Sequence, residues 1–190
     1  MTRRPRRLPS LLFFLGLAAA GIPESSLAAE IAGASGIVTL AYDETLWSGQ
    51  RDQEGEPELA CIAEACGGDT AGCGSVLVKR EGNGLSDEVF LGGFREHLDE
   101  ETLKSARTNA GEASRPEIVS PASVATIGGR TAVTLSMRLA FDGTPTRVDH
   151  FWLQAGSTIA GLACVVAEAE YGRARPAFER VFADMAVRAP

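Results

Sequence analysis

Residues 119–187, VSPASVATIGGRTAVTLSMRLAFDGTPTRVDHFWLQAGSTIAGLACVVAEAEYGRARPAFERVFADMAV, decide the fold. They read as four antiparallel strands joined by three tight turns and followed directly by an amphipathic helix. Gly128-Gly129, Asp142-Gly143 and Ala155-Gly156 each supply the positive φ that a two-residue hairpin needs to match strand twist. Such loops fix register: the second turn pairs Leu135 with His150 and Val133 with Trp152, and the third pairs His150 with Gly161 and Trp152 with Ile159. One face then carries Val133, Leu135, Met137, Val148, Trp152 and Ile159 and reads as core. The other carries Thr134, Ser136, Arg138, Arg147, Asp149, Phe151, Leu162 and Cys164, a mixed surface. In the helix, Phe178, Val181, Phe182 and Met185 recur at i, i+3, i+4 and i+7, a stripe that must be buried. It is expected to lie on the Val133/Leu135/Met137 face, with Pro176 in its first turn.

Upstream of this unit, residues 29–36 have no pattern and read as a flexible arm. IVTLAY from Ile37 alternates Val38, Leu40 and Tyr42 on one face and reads as a strand. The next fifteen residues are polar and turn-rich apart from Leu46 and Trp47, and Trp47 reads as a packing anchor. ELACIAEAC and GSVLVKRE form a hairpin, with Asn83-Gly84 breaking its second strand. Ser86 is a suitable N-cap for a helix in which Val89, Phe90, Phe94 and Leu98 share one side. Gly92 and Gly93 in its middle each cost about 1 kcal/mol relative to alanine, so this helix needs tertiary support or a neighbour that demands the missing side chains. Asp99 caps a second short helix, which Gly111 stops.

The first 28 residues stand apart. MTRRPRRLPS carries four arginines, LLFFLGLAAAGI is apolar, and PESSLAA offers small residues for cleavage after Ala28 with Ser26 at −3. The apolar run is shorter than the ~20 residues of a spanning helix, which disfavours an uncleaved anchor. Export to the periplasm or medium follows, leaving residues 37–190 as one domain with no membrane anchor after cleavage. The whole chain has a formal net charge of −7, and losing four arginines makes the mature form more acidic still. That balance argues against nucleic acid as a partner, because phosphate contacts need clustered Lys and Arg.

All four cysteines, Cys61, Cys66, Cys73 and Cys164, lie in the exported part, where an even count implies two disulfides. Zinc is the alternative, but Cys61-x4-Cys66-x6-Cys73 is not a zinc-ribbon spacing and no histidine lies nearby. The flexible GGDTAG loop favours Cys66 to Cys73, leaving Cys61 for Cys164. Cys164 would then sit opposite Arg147 with its sulfur pointing away from the C-terminal helix.

No reaction motif accompanies this framework. There is no G-x-S-x-G elbow, Walker loop or G-x-G-x-x-G. His97 reads as a cation at a helix C-terminus. His150, placed opposite Gly161 on the apolar face, reads as a core histidine with no carboxylate on its strand face. Asp99-Glu100-Glu101 complements a helix start and lacks the alternating ligands of a calcium loop. No catalytic residue, metal or cofactor is assigned.

The element order, with ATIGGRTAVTLSMRLAFDG, RVDHFWLQAGSTIAGLACVV and RPAFERVFADM as its best local marks, resembles the PsbP-like α/β/α sandwich superfamily. The resemblance implies an α+β fold, an antiparallel meander flanked by helices, and binding or assembly roles without a shared active site. It transfers no functional residue to a position here, and a Cys66 to Cys73 loop is not a general feature of that family. The expected function is an exported, non-enzymatic binding or assembly protein with a protein or small-molecule partner. A small exported hydrolase using His150 is the alternative.

Overall fold

Two of the three glycine turns form where the sequence marks them, and the third is displaced by one residue. The computed structural model describes residues 28–79, 86 and 89–188. The leader through residue 27, the Asn83-Gly84 break and the expected first helical residues Asp87 and Glu88 lie outside these. Along the chain come β1 (Ala28–Ala32), β2 (Val38–Asp43), β3 (Trp47–Arg51), β4 (Pro57–Cys61) and β5 (Gly72–Lys79). A π-helical turn (Phe90–Phe94) then runs into α1 (Arg95–Ala110). The meander is β6 (Glu117–Ile127), β7 (Arg130–Phe141), β8 (Thr144–Ala155) and β9 (Thr158–Ala167), followed by α2 (Tyr171–Asp184) and β10 (Ala186–Val187).

Among these residues a seven-stranded antiparallel sheet has the order β3-β4-β5-β9-β8-β7-β6, and a three-stranded sheet has the order β1-β2-β10. The α+β, PsbP-like sandwich arrangement is therefore present. Asp142 and Gly143 both take positive φ (48° and 80°), and β7 pairs with β8 in the expected register, Leu135 to His150 and Val133 to Trp152. Between β8 and β9 the loop is Gly156-Ser157, with Gly156 at φ 60°, so His150 faces Ala163 and Trp152 faces Gly161. The reason is steric: the first central residue needs positive φ, which Gly156 adopts freely and Ala155 does not. The shift is two positions along β9, so every residue keeps its expected face.

The helices cover the sheet the other way round from expectation. α2 lies on the mixed face: Phe178, Val181, Phe182 and Met185 pack with Ala132, Phe151, Leu153, Ala160, Leu162, Cys164 and Val166. Phe182 stacks on Phe151 at 5.3 Å, and Trp47, a buried anchor as expected, meets Phe178 at 6.2 Å. Val133, Leu135, Met137 and Val148 instead pack with Phe90, Leu98 and Ala106 at α1. The mixed face accepts α2 because Glu168 and Tyr171, leading into that helix, partner its buried Arg147 and Asp149. Each large apolar side chain buried in the stripe contributes about 1.5–3 kcal/mol. α2 begins five residues before Pro176, which therefore lies inside the helix.

Other expectations are corrected at the edges. The supposed flexible arm supplies β1, paired with β2 from Ala28↔Asp43 to Ala32↔Thr39. The polar stretch after Leu46 forms β3, whose Gly49 lies under Tyr42: a Cβ there would come 2.5 Å from the Tyr42 hydroxyl. Ser86 does cap the helix, its Oγ accepting the Val89 N–H at 3.3 Å. That helix continues through the π-turn into α1 without a break, so Asp99 caps nothing. Its carboxylate accepts the Ala122 N–H at 2.8 Å, where β6 is bulged, and so ties α1 to the sheet edge. Gly111, at φ 77°, ends α1 as expected. His97 falls in the exposed first turn of α1, not at a C-terminus. Val89 is exposed, because the π-turn changes the phase of the stripe, whereas Phe90 and Leu98 are buried.

The cysteines form two disulfides, with pairings that differ from those expected. Cys73 bonds Cys164 and Cys61 bonds Cys66, with Cα separations of 4.1 and 5.8 Å. Cys73 is not a loop end but a core-facing residue of β5, which pairs with β9 so that Cys73 lies directly opposite Cys164. Cys164 itself faces Asp149 across β8, not Arg147, and its sulfur points into the core beneath α2. Cys61 at the end of β4 then closes onto the short turn Glu64–Cys66.

Candidate functional site

α1 turns Leu98, Thr102 and Ala106 toward the sheet, one residue per turn and two of them small. Small side chains cannot fill the space that α2 fills on the opposite face with two phenylalanines. The result is a groove of about 700 Å³ between α1 and the sheet, lined by Val76, Leu98, Met137, Val148, Val165 and Trp152 among others. Val78 and Phe141, 39% and 48% exposed, stand at its mouth.

Trp152 and His150, neighbours on the groove side of β8, stand in the sheet wall of the groove, and Glu101, Thr102, Ser105 and Asn109 line it from α1. Trp152 is 7% exposed, its indole lies above Gly161, and Phe94 meets it edge-on at 5.7 Å. The His150 ring is parallel to the indole, with centroids 6.3 Å apart. Trp152 Nε1 and both ring nitrogens of His150 are shielded from solvent and have no hydrogen-bond partner among the described residues. Burial draws the His150 imidazole down to about 4, so it is neutral at pH 7. Each orphaned buried polar group costs about 1–3 kcal/mol, which marks this wall as unusual for a mere core.

His150 therefore does not form the catalytic pair that a hydrolase requires, since no carboxylate or hydroxyl of the described residues hydrogen-bonds it. Its chain neighbour Asp149 points to the opposite face. There, beneath the start of α2, lies a second and polar cluster beside a cavity of about 410 Å³. Ser136 Oγ donates to Asp149 at 2.6 Å, and the Tyr171 hydroxyl donates to the same carboxylate at 3.0 Å. Burial pushes the Asp149 carboxyl above the usual range against the pull of these hydrogen bonds. Arg147 holds Glu168 through two hydrogen bonds of 3.0 and 2.7 Å and lies over the Tyr171 ring at 4.5 Å. Arg138 adds a third contact to Glu168 at 3.0 Å. Hydrogen bonds from Arg147, then Arg138, hold the Glu168 carboxyl down to about 2. Every charged member is partnered, so this cluster fastens α2 to the sheet.

Sequence reasoning missed this cluster, although one signal for it exists. The Asp142-Gly143 turn sets Arg138 directly opposite Arg147, and like charges so placed require a shared carboxylate. Reasoning from sequence did single out both groove residues. The four cysteines lie on the α2 side or at the β4 end, away from the groove. Among the described residues, no three His, Cys, Asp or Glu side chains come together as a metal set. No helix among them is long and apolar enough to cross a membrane.

No protein-family model matches the chain, and no curated protein matches it. Solved structures do. The chain is similar to the solution structure of cyanobacterial PsbP (CyanoP) from Synechocystis sp. PCC 6803, with a TM-score of 0.62 and 10% identity over 90% of this chain and 98% of that one. It is similar to the Ran-binding protein Mog1p of Saccharomyces cerevisiae, with a TM-score of 0.55 and 10% identity over 86% and 96% of the two chains. LpqN of Mycobacterium tuberculosis, involved in cell envelope biogenesis, gives a TM-score of 0.51 and 12% identity over 85% and 91%. Identities this low establish a shared fold alone, and that fold is the PsbP-like sandwich.

Proposed function

We propose that this chain is an exported, periplasmic or secreted, non-enzymatic binding protein whose working site is the groove between α1 and the sheet. The observation that carries the reading is a largely apolar groove of ligand size, about 700 Å³, with aromatic side chains on the sheet and a few polar ones, Thr102, Ser105 and Asn109, on α1. Small-molecule sites combine an apolar wall with a few convergent polar groups, in volumes of about 300–1,000 Å³. Export is supported by the arginine-rich, apolar leader and by two disulfides, which persist in oxidising compartments.

A neutral solvatochromic dye, Nile red, tests the site. It binds the native protein saturably and one to one, and loses that binding in Ala106→Trp, which fills the groove from α1. Binding that is non-saturable, or unchanged in a folded Ala106→Trp protein, overturns the reading. N-terminal sequencing of the protein recovered outside the cytoplasm tests export: a start at residue 29 is expected, and an intact leader in a cytoplasmic protein contradicts it.

A further inference from the structure

Shape and lining together point to the class of ligand, on the reading that the groove is a ligand site. The groove is long: on α1 its lining runs from Leu98 to Ala110, about 18 Å of helix, and its floor crosses the neighbouring strands β5, β9, β8 and β7. Met137, Val148 and Val165 stand directly opposite one another across β7, β8 and β9, so the floor carries one continuous apolar row. The exposed polar lining is confined to α1, where Glu101, Ser105 and Asn109 recur at i, i+4 and i+8 along one rim. These groups already have partners: Asn109 Nδ2 donates to Ser105 Oγ at 3.3 Å, and Glu101 lies 4.0 Å from Lys104. No described lining residue brings a charge into the floor, since Glu101 stands at the rim and His150 is neutral at pH 7.

We infer that the groove takes up a single-chain amphiphile by its hydrocarbon chain, which packs on the Met137-Val148-Val165 row between α1 and the sheet, while the head group stays in water at the Glu101-Ser105-Asn109 rim. Affinity is then set by the chain, and the head is tolerated without being recognised. The occupant is a small molecule, not a peptide: every strand of the floor is paired on both sides, so an extended peptide finds no free edge for its backbone, and buried peptide groups without partners are costly. Nor is it a folded protein, which would bury about 800 Å² of this surface, because Val78 and Phe141 are the only large apolar lining residues that are exposed.

Calorimetric titration of the mature protein at pH 7.5, below the micelle concentration of each compound, varies chain and head separately, with Nile red as a reporter of the empty groove. Hexan-1-ol, octan-1-ol and decan-1-ol differ in the chain alone, and each added methylene is expected to tighten binding roughly three- to fourfold, about a hundredfold across the series. Decyl glucoside and decyltrimethylammonium keep the decyl chain under a bulky or a charged head, and both are expected to bind within about tenfold of decan-1-ol. The decyl compounds displace Nile red, and Ala106→Trp, or Val76→Lys if that protein does not fold, weakens them at least about tenfold. An affinity that does not rise with chain length, decyl binding that is lost when the head is enlarged, or decyl binding unchanged in the folded variant overturns the assignment of the chain to the groove. Failure of all five compounds where Nile red still binds overturns the amphiphile while leaving the groove as a site. Failure of Nile red as well overturns the site itself.

Discussion

Trp152 covers Gly161 across β8 and β9 so closely that a Cβ on residue 161 would lie 2.5 Å from Trp152 Cε3. The indole is thereby held flat against the sheet. Gly161→Ala must displace the ring, and overpacking of this kind costs about 1–3 kcal/mol. Denaturant unfolding is expected to show that loss, together with weaker Nile red binding. A protein of unchanged stability and affinity would contradict the placement of Trp152.

The two disulfides are expected to differ in worth. By the chain-entropy model, a crosslink spanning the 91 residues from Cys73 to Cys164 stabilises by about 4–5 kcal/mol, and one spanning the 5 from Cys61 to Cys66 by about 2. Urea midpoints of the double variants Cys73→Ser/Cys164→Ser and Cys61→Ser/Cys66→Ser check this order. Peptide mapping that links Cys61 to Cys164 would contradict the pairing itself.

His150 makes stability depend on pH in a definite window. Its imidazole titrates near 4 in the folded chain against 6.5 ordinarily, so between these values the unfolded chain binds the extra proton. Stability then falls as pH drops from 6.5 toward 4, by up to about 3 kcal/mol, and is independent of this group above 6.5. Glu168, held near 2, loses its contribution only as pH falls from 4.5 downward. Unfolding measured from pH 7.5 to 4.5 is expected to slope in the native protein and to flatten in His150→Phe. An equal slope in both would remove the claim that His150 is buried and neutral.

Gly92 and Gly93 occupy the π-helical turn that brings Phe94 onto Trp152, and a Cβ added at Gly92 would meet open space. Among the described residues neither glycine is demanded by a close neighbour, and the helix is supported by Phe90 and Phe94 instead. Gly92→Ala is therefore expected to raise stability by about 0.5–1 kcal/mol through the unfolded chain. A thermal melt lowered by that change would contradict the open surroundings.

The meander was legible because primed hairpin turns leave a chemical mark: Gly128-Gly129 and Asp142-Gly143 stand where they were expected, and face membership survived even the misplaced turn at Gly156. What local signals could not reveal is which layer covers which face. Both faces of β7 to β9 hold large apolar side chains, and the aromatic stripe of α2 suits either. The choice is made by Tyr171 and Glu168 meeting Asp149 and Arg147, contacts between distant parts of the chain. The disulfides were misread for the same reason, since the β5–β9 adjacency is a long-range pairing. β3 escaped because only Trp47 of WSGQR is buried. At the site, His150 and Trp152 were visible as residues. The groove was not, because it exists only where Thr102 and Ala106 of α1 oppose them.

The central claim is that the groove between α1 and β8 is a ligand site. Crystals of the mature protein soaked with ω-bromodecanol address it most directly, through the anomalous signal of bromine. The account predicts a single strong peak inside the groove, between α1 and the face of the sheet that carries Met137 and Val148. A bromine peak elsewhere on the molecule, or a groove closed by movement of α1 onto Met137 and Val148, would contradict it.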